Sequence, residues 1–588
     1  MRWAKLRRVT STSGSSGIGV RGNWACDYDA DMKLVLSQAL RRSRRLHIAA
    51  PWLAGLLAAS LCCFAPIAAA NPSSKADKKS ASADGLSGEL FYQILLGEIN
   101  LREGSPALGF SLLLDAARKT NDVELYSRSL DIALQVRSGD GALAAATAWS
   151  RAYPQDKRAN NQLLQILIVL GKIADTAEPL RKDIGFAPEA DRAQVISLIP
   201  RLYARATDKK LAADTVAQAL EPYLSQRTTS AAAWATVGRM RLLQDDTQAA
   251  LQAAQHGLSA DPQSLSAALL TLELLSRQVQ AAEPLLQQAL TRQTSPDLAM
   301  AYVRLLIEQQ RYSVAQSTLE GLTQKYPLFP DAWLVLGSMQ FEQGQETQAE
   351  QSLARYVKLA QEQTSANHNK GLLQAQTRRA ELLARHGKLN EGRGLIANLP
   401  NGNKEDQRNK LLSEAQLLRD HRQWQAAYEL LSQANSEDPD VMYEQAMLAE
   451  KLNKLDDMEK LLRQIIEQDP NYYNAYNALG FAFADRNIRL PEAKQLIAKA
   501  LALSPDDPFI TDSLGWVEFR LGNLTAALLH LQKAYELRAD AEIAAHLGEV
   551  LWRLKRQDDA RRIWQEGLKL APDNETLKET LQRLQPKL

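Results

Sequence analysis

Residues 511–572 carry one helix-pair pattern twice in succession: TDSLGWVEFRLGNLTAALLHLQKAYELRADAEIAAHLGEVLWRLKRQDDARRIWQEGLKLAP. Counted from Gly515 and again from Gly548, a small residue follows after twelve positions, a large apolar one after sixteen and another small one after nineteen. Pro572 closes the second copy. Small side chains let two helices approach closely, large ones fill the space between neighbouring pairs, and proline ends a helix. The stretch therefore predicts stacked helix pairs.

These offsets resemble the tetratricopeptide repeat, a helix-turn-helix unit of about 34 residues with a W-x2-L-G-x2-Y, A-x3-F and P signature. The resemblance rests on Leu514-Gly515, Ala527 and Leu531 in the first copy, and on their counterparts in the second. It implies an all-α fold, namely an α-solenoid with a right-handed superhelix of about 13–14 helix pairs, several of them degenerate. The first helices of such an array line its concave surface.

A small residue near the start of each second helix recurs at intervals close to the repeat length. The markers are Gly109, Ala142, Ala213, Ala250, Ala282, Ala315, Ala349, Gly392, Ala427, Met458, Ala493, Ala527 and Ala560, and a degenerate repeat fits near Ala177. The repeats near 177, 213 and 392 lack most of the signature, so their registers stay open. The best-matching signature positions are Trp234, Gly238, Ala250, Trp333, Gly337, Ala349, Gly480, Ala493, Gly515, Ala527, Gly548, Ala560 and Trp564. Their three tryptophans are expected in the core.

Composition supports helices over strands, because aromatic residues make up 6% of the chain and Ala and Leu dominate its apolar residues. The net charge of +2 divides unevenly along the chain. Residues 1–70 carry ten Lys or Arg and three Asp, so the remainder is mildly acidic. A mildly acidic body gives no support for nucleic-acid binding.

The first 70 residues have the layout of an export leader. Residues 1–31 are expected to be disordered or to lie upstream of the true start at Met32. In residues 32–70 a basic segment precedes an apolar run that ends in Ala68-Ala69-Ala70, which is typical of a cleaved signal peptide. The alternative is an uncleaved inner-membrane anchor, since the run is long enough to span a bilayer. Either interpretation predicts export, and cleavage predicts a periplasmic protein.

The remaining chain divides into four predicted segments. Residues 71–86 are small and polar and are expected to form a flexible tether. An N-terminal repeat array of residues 87–397 precedes a candidate hinge at 398–404, where Pro400 and Gly402 interrupt the helical pattern. Residues 405–588 form a C-terminal array that ends in a polar capping helix. Capped arrays tend to stay separate, so a monomer is expected.

No motif in the sequence indicates catalysis. Zinc-peptidase, nucleotide-phosphate and nucleophile-elbow signatures are missing. The histidines beyond the leader are scattered singly, without the cysteine or carboxylate company of a metal site, and are interpreted as solvated or helix-capping. The chain is therefore predicted to be no enzyme and to need neither metal nor cofactor.

Partner binding is the remaining route to function. Residues one, five and nine positions after the Trp-type signature position are expected to face the concave groove. In the C-terminal repeats these candidates are Asn477, Phe481, Asp485, Asp512, Trp516, Arg520, Glu549 and Arg553. Aromatic groups among charges of both signs suit an extended peptide or a partner helix. The alternative is that Phe481 and Trp516 pack between adjacent repeats.

The leading hypothesis is a periplasmic protein-protein interaction scaffold in envelope assembly or export, with protein partners of unknown identity and peripheral association with the envelope. A second hypothesis is a repeat subunit of an exopolysaccharide secretion apparatus. A remote third is an enzyme within the degenerate repeats around residues 160–230. The sequence favours the scaffold because it offers surfaces and no clustered reactive groups.

Overall fold

The computed structural model describes residues 87–292, 295–362 and 368–585. All regular structure in these ranges is helical. The predicted leader and tether lie outside the described residues. Within these ranges, no helix combines the length and the apolar composition that crossing a bilayer requires.

The described residues fall into two compact units that divide between Tyr326 and Pro327. The helices of the first unit are α1 Gly88–Arg102, α2 Pro106–Thr120, α3 Val123–Gln135, α4 Gly139–Ala152, α5 Lys157–Val169, α6 Ala177–Gly185, α7 Glu189–Leu202, α8 Lys209–Leu220, α9 Ser230–Leu242, α10 Thr247–Ala260, α11 Leu265–Ser276, α12 Glu283–Arg292, α13 Asp297–Glu308 and α14 Tyr312–Lys325. Short 3-10 turns occupy Ile173–Thr176, Glu221–Tyr223 and Gln280–Ala282.

The second unit continues the same alternation. Its helices are α15 Pro330–Glu342, α16 Glu346–Glu362, α17 His368–Arg385, α18 Leu389–Ala397, α19 Lys404–Asp420, α20 Trp424–Ala434, α21 Pro439–Lys451, α22 Leu455–Gln468, α23 Tyr473–Asp485, α24 Leu490–Leu503, α25 Pro508–Arg520, α26 Leu524–Leu537, α27 Ala541–Arg553, α28 Gln557–Leu570 and α29 Glu575–Leu584. Odd-numbered helices up to α27 are the first members of pairs and even-numbered helices the second. The described chain thus has fourteen pairs followed by α29, which confirms the predicted all-α solenoid.

N-cap side chains and turn residues at positive φ set where these helices begin and end. Many turns inside a pair place one residue at positive φ, such as Gly387 (77°), Gly522 (87°) or Asn453 (60°). Glycine and asparagine tolerate this left-handed conformation better than most residues. Several first helices, and the final helix α29, begin after an Asp, Ser or Asn whose side chain accepts a backbone N–H. These N-caps include Asp122, Asp156, Ser264, Asp438, Asp507, Asp540 and Asn574.

Tight packing inside each pair explains the repeated offsets. A Cβ atom added to Gly515 would lie 2.6 Å from Leu531 Cγ, and one added to Gly548 would lie 2.1 Å from Trp564 Nε1. The large residue sixteen positions on therefore covers its own pair's glycine, rather than only filling space between pairs. Glycine is required at these positions because the second helix leaves no room for a side chain.

The degenerate repeats keep the helix-pair form without the signature. Before α6 the 3-10 turn Ile173–Thr176 replaces the first helical turn. Buried Tyr203 donates a hydrogen bond to the Thr176 hydroxyl at 2.7 Å, and burial raises the pKa of Tyr203 to about 12. Near residue 392 the register follows the family pattern, because a Cβ on Gly392 would lie 2.6 Å from the Ala380 carbonyl oxygen. The contact at Gly392 places the register of that repeat.

Residues 398–403 of the candidate hinge 398–404 form the irregular connection between α18 and α19, inside the second unit, and Lys404 begins α19. It is tied down locally, since Lys410 Nζ donates to the Leu399 carbonyl at 2.8 Å and Asn403 caps α19 with Asp406. Movement at this point stays a prediction. The last described helix, α29, turns Leu577 inward and its charged side chains outward, and its role as a cap stays a prediction.

Candidate protein-binding surfaces

The eight predicted groove residues lie on the successive first helices α23, α25 and α27. Residues four apart share a face of a helix, which explains why each helix contributes a short stripe. Burial separates the eight residues: Asn477, Phe481, Asp512, Trp516 and Glu549 are buried, Asp485 and Arg520 are half-buried, and Arg553 is exposed. Most of the row is therefore covered by the chain itself.

His546 on α27 fills the centre of this row. Its Nδ1 lies 2.9 Å from Asp512 Oδ2, and its ring stacks on Trp516 with centroids 4.2 Å apart and planes 22° apart. The Phe481 ring lies 6.1 Å from the imidazole. With 1% of its surface exposed, His546 is neither solvated nor a helix cap, so that prediction is wrong for this residue. The sequence did hold a signal for this contact: His546 follows Asp512 by 34 residues, which is the length of one repeat.

Contacts at one-repeat spacing also bind neighbouring first helices together. Arg520 donates to the Asp485 carbonyl at 3.1 Å, and Arg583 donates to the buried carboxylate of Glu549 at 2.6 Å. The hydrogen bond to Glu549 raises the pKa of the Arg583 guanidinium. Arg583 is not among the groove residues predicted from the sequence, because it lies on the predicted capping helix. Together with Asp512, which contacts His546 across the same spacing, four of the eight candidates thus hold repeats in register.

Some polar atoms in the row have no hydrogen-bond partner among the described residues. Both polar atoms of the Asn477 amide and the indole Nε1 of Trp516 are buried there without a hydrogen-bond partner. An unsatisfied buried group costs about 1–3 kcal/mol. Burial of Phe481 and Trp516 favours the alternative of packing between repeats, while partner binding along the row stays a prediction.

The signature tryptophans divide between core and surface. Trp564 is fully buried, as expected. Trp234 and Trp333 are half-buried, so the expectation that all three lie in the core is wrong. Trp234 stacks on exposed His256 at 4.5 Å, and Trp333 Nε1 donates to the Pro327 carbonyl at 3.1 Å. Both indoles therefore reach the surface of their repeats.

Exposed apolar side chains recur at consecutive turns of the first unit. We call this set the apolar edge and define it by exposed residues at or near the carboxyl ends of α3, α5 and α7: Leu134, Val136, Val169, Leu170 and Leu202. Val169 has 83% of its surface exposed. Sequence reasoning missed the apolar edge, although apolar residues directly before turns were a visible signal.

Two contacts place the turns of the apolar edge side by side. A Cβ added to Gly139, at the start of α4, would lie 2.6 Å from Leu170 Cδ2, so the first and second turns touch. The hydrogen bond from Tyr203 to Thr176 joins the second turn to the third. Exposed cations, Arg137 and Lys172, border the apolar edge. An apolar surface with a polar rim is typical of a protein interaction site.

A second apolar surface lies on the first helix of the array. Phe91, Tyr92, Leu95 and Ile99 project from one side of α1 and are exposed, and we call them the terminal face. The opposite side of α1 packs on α2, where a Cβ on Gly97 would lie 3.0 Å from Leu113 Cγ. The terminal face is therefore the side of α1 on which a preceding repeat would stack.

Reactive side chains among the described residues do not cluster as the exposed apolar side chains do. Among the described residues, no group of three or more His, Cys, Asp or Glu could hold a metal ion. Burial lowers the pKa of His530 in α26. The described part of the chain thus presents apolar surfaces more clearly than catalytic constellations.

The family model of the tetratricopeptide repeat matches residues 301–364, 443–508 and 513–575. The TPR repeat-containing protein PA4667 of Pseudomonas aeruginosa is 41% identical over 181 residues, which are 30% of this chain and 30% of that protein. The TPR protein TTC0263 of Thermus thermophilus is 22% identical, with 30% of this chain and 97% of that chain covered and a TM-score of 0.28. The Cut9–Hcn1 hetero-tetramer of APC/C is 14% identical over 84% of this chain and 96% of that chain, with a TM-score of 0.31.

The second and third matched segments coincide with helix pairs of the structure. Residues 443–508 span α21 to α24, and residues 513–575 span α25 to α28. The glycine contacts inside these pairs supply the physical reason for the match. Tetratricopeptide repeats generally mediate protein-protein interaction. From its repeat signature, its helix pairs and the family-model match, this chain carries tetratricopeptide repeats.

Proposed function

We propose that this protein is a non-enzymatic scaffold that binds a protein partner in the periplasm and serves envelope assembly or export. The observation that carries the binding proposal is the apolar edge, a set of exposed aliphatic side chains across three consecutive repeats. Isolated exposed apolar residues are common on proteins, whereas contiguous ones with a polar rim mark interaction sites.

The edge suits a partner segment with apolar side chains, and charges of both signs lie beside it, since Asp140 and Asp175 are exposed near Arg137 and Lys172. Val169 and Leu170 offer apolar contact, and Arg137 and Lys172 offer positive charge beside it. Burying an aliphatic side chain of this size stabilises a complex by about 1–2 kcal/mol when most of it starts exposed. Charges at the rim add orientation more than affinity.

Photocrosslinking in intact cells tests the binding proposal. A photoreactive residue replaces Val169, and the matched control replaces Leu529, an exposed leucine (66%) on a second helix of the other unit. We expect one discrete protein to be captured at position 169 and not at 529. A third probe at exposed Arg553 tests the predicted groove row. Equal capture at 169 and 529 would refute binding at the edge.

A variant then links capture to affinity. Val169→Asp places a charge in the edge and is expected to weaken binding of the captured partner at least about 10-fold, because 1.4 kcal/mol corresponds to a factor of ten. Leu529→Asp is the control and should leave affinity unchanged. Unchanged affinity in Val169→Asp, measured by titration calorimetry, would contradict the proposal.

The periplasmic location rests on the leader pattern in residues 32–70. Osmotic-shock fractionation of cells, followed by N-terminal sequencing, tests it. We expect the protein in the periplasmic fraction with a mature terminus at Asn71. A protein that stays inside spheroplasts contradicts export. An intact leader in the membrane fraction supports the anchor alternative instead.

A further inference from the structure

The two ends of the described array differ in how they meet solvent. At the carboxyl end, α29 buries Leu577 and exposes charged side chains. At the amino end, α1 exposes Phe91 (58%) and Tyr92 (63%), together with two aliphatic residues. Repeat arrays need a polar outer face on their terminal repeats to remain soluble. The terminal face therefore requires a cover that α1 itself does not supply.

The residues directly before α1 offer little to cover this face. Segment 71–86 reads NPSSKADKKSASADGL, in which Leu86 is the single large apolar residue. One leucine cannot match two aromatic and two aliphatic side chains on the terminal face. A cover from outside this segment fits the composition better.

The spacing of the face suits a second helix of the same kind. Tyr92, Leu95 and Ile99 follow one another at three and four residues, which is the spacing of a two-helix seam. When α1 is laid antiparallel on a copy of itself with Leu95 near the twofold axis, Tyr92 of one copy faces Ile99 of the other. A twofold interface uses the same patch on both partners, and this patch is self-complementary in that way.

Charge at the ends of α1 supports the same arrangement. Glu89 lies in the first turn and Arg102 in the last, and both are exposed. Antiparallel pairing brings Glu89 of one copy towards Arg102 of the other at both ends of the seam. Antiparallel helix dipoles also favour this orientation over a parallel one.

We propose that the terminal face is a homodimer interface in which α1 pairs antiparallel with α1 of a second copy. The four exposed side chains offer roughly 400 Å² per copy, since an aromatic side chain buries about 150–250 Å² when fully covered. The resulting total of about 800 Å² lies below the usual 1,200–2,000 Å² of stable interfaces. The dimer is accordingly expected to be weak, and it differs from the monomer expected from sequence.

Sedimentation velocity of the full chain tests dimer formation between about 1 and 100 μM, a range chosen to bracket a weak interface. The native protein should shift from monomer to dimer across this range. Leu95→Glu should remain monomeric, with at least a tenfold rise in dissociation constant. Leu570→Glu, at a comparably exposed leucine (54% against 45%), should behave like the native protein. A native protein that is monomeric throughout, or a dimeric Leu95→Glu, overturns the proposal.

Cysteine crosslinking tests the orientation in a chain whose native Cys26, Cys62 and Cys63 are replaced by serine. A mixture of Tyr92→Cys and Ile99→Cys chains should form mixed disulfide dimers on oxidation. Either variant alone should crosslink at least about tenfold more slowly, because antiparallel pairing separates like positions. Fast crosslinking of Tyr92→Cys alone contradicts the antiparallel seam.

The dimer is independent of the partner site. Leu95→Glu leaves the apolar edge intact, so capture at a Val169 probe should persist in this variant. Loss of dimer with retained capture therefore separates the two proposals.

Discussion

Gly392 and Gly394 lie two residues apart in α18, yet alanine should act on them in opposite directions. A Cβ at position 392 would lie 2.6 Å from the carbonyl oxygen of Ala380 in α17 and 3.2 Å from its carbonyl carbon. These are backbone atoms of a buried residue and cannot rotate away. At position 394 the nearest atom, Asn398 Nδ2, lies 3.9 Å away.

The expected magnitudes follow from these distances. Alanine in a helix interior is favoured over glycine by about 0.5–1 kcal/mol, so Gly394→Ala should raise the free energy of unfolding by that amount. Overpacking of a filled site costs about 1–3 kcal/mol, which exceeds the gain in helix propensity. Gly392→Ala should therefore lower stability by about 1–3 kcal/mol. The difference arises because α17 and α18 meet at position 392.

Hydrogen exchange read by mass spectrometry is the assay of choice, because repeat arrays open locally as well as globally. Peptides from α17 and α18 should exchange faster in Gly392→Ala and more slowly in Gly394→Ala. Urea unfolding followed by circular dichroism should give the same order. Stabilisation of both variants would refute the close approach at Gly392 and the assignment of this degenerate repeat.

Two electrostatic substitutions should also have measurable effects. Arg583→Gln removes a charged donor from the buried Glu549 carboxylate and should destabilise the carboxyl-terminal repeats by about 1–3 kcal/mol in urea unfolding, since an unpaired buried charge is costly. The hydrogen bond from Arg311 holds the pKa of Glu283 below its usual range. Because the folded pKa is lowered, this pair stabilises the fold above the unfolded carboxyl pKa of about 4.3, and the gain is lost as pH falls through the folded value. Glu283→Gln should therefore flatten the acid decline of the melting temperature below about pH 5.

Matched substitutions at exposed positions provide the controls for both. Arg562→Gln removes a solvent-exposed ion pair with Asp559 and should change stability by less than about 0.5 kcal/mol. Glu308→Gln, on an exposed position of α13, should keep the acid decline of the native protein. Equal effects of Arg583→Gln and Arg562→Gln, or of the two glutamate substitutions, would contradict the assigned contacts.

The helix pairs were predictable because their determinants are short-range. Gly548, Ala560 and Trp564 occur within one repeat, and their spacing alone requires two helices in close contact. The apolar inner side and polar outer side of α29 are equally visible in its sequence. Such signals survive without knowledge of distant contacts, because each repeat packs mainly on its immediate neighbours.

The candidate site was predicted less well, because exposure depends on neighbouring layers. The position of Trp516 on α25 allows either a place in the groove or packing between repeats, and only the structure shows that His546 from the next pair stacks on it and buries it. The apolar edge presents the converse case. Val169 resembles an ordinary helix-terminal residue in sequence, and its 83% exposure becomes visible only in the folded repeats.

The sequence by itself determined the secondary structure, the pair length and the glycines at which helices touch, because these follow from periodicity and side-chain size within about 34 residues. Tertiary structure decided which faces remain open. A side chain 34 residues away, as His546 is from Asp512, closes one face, whereas no repeat among the described residues precedes α1 to cover its terminal face. Burial is a property of the assembled layers, so the surfaces available for binding emerge only when the repeats are stacked.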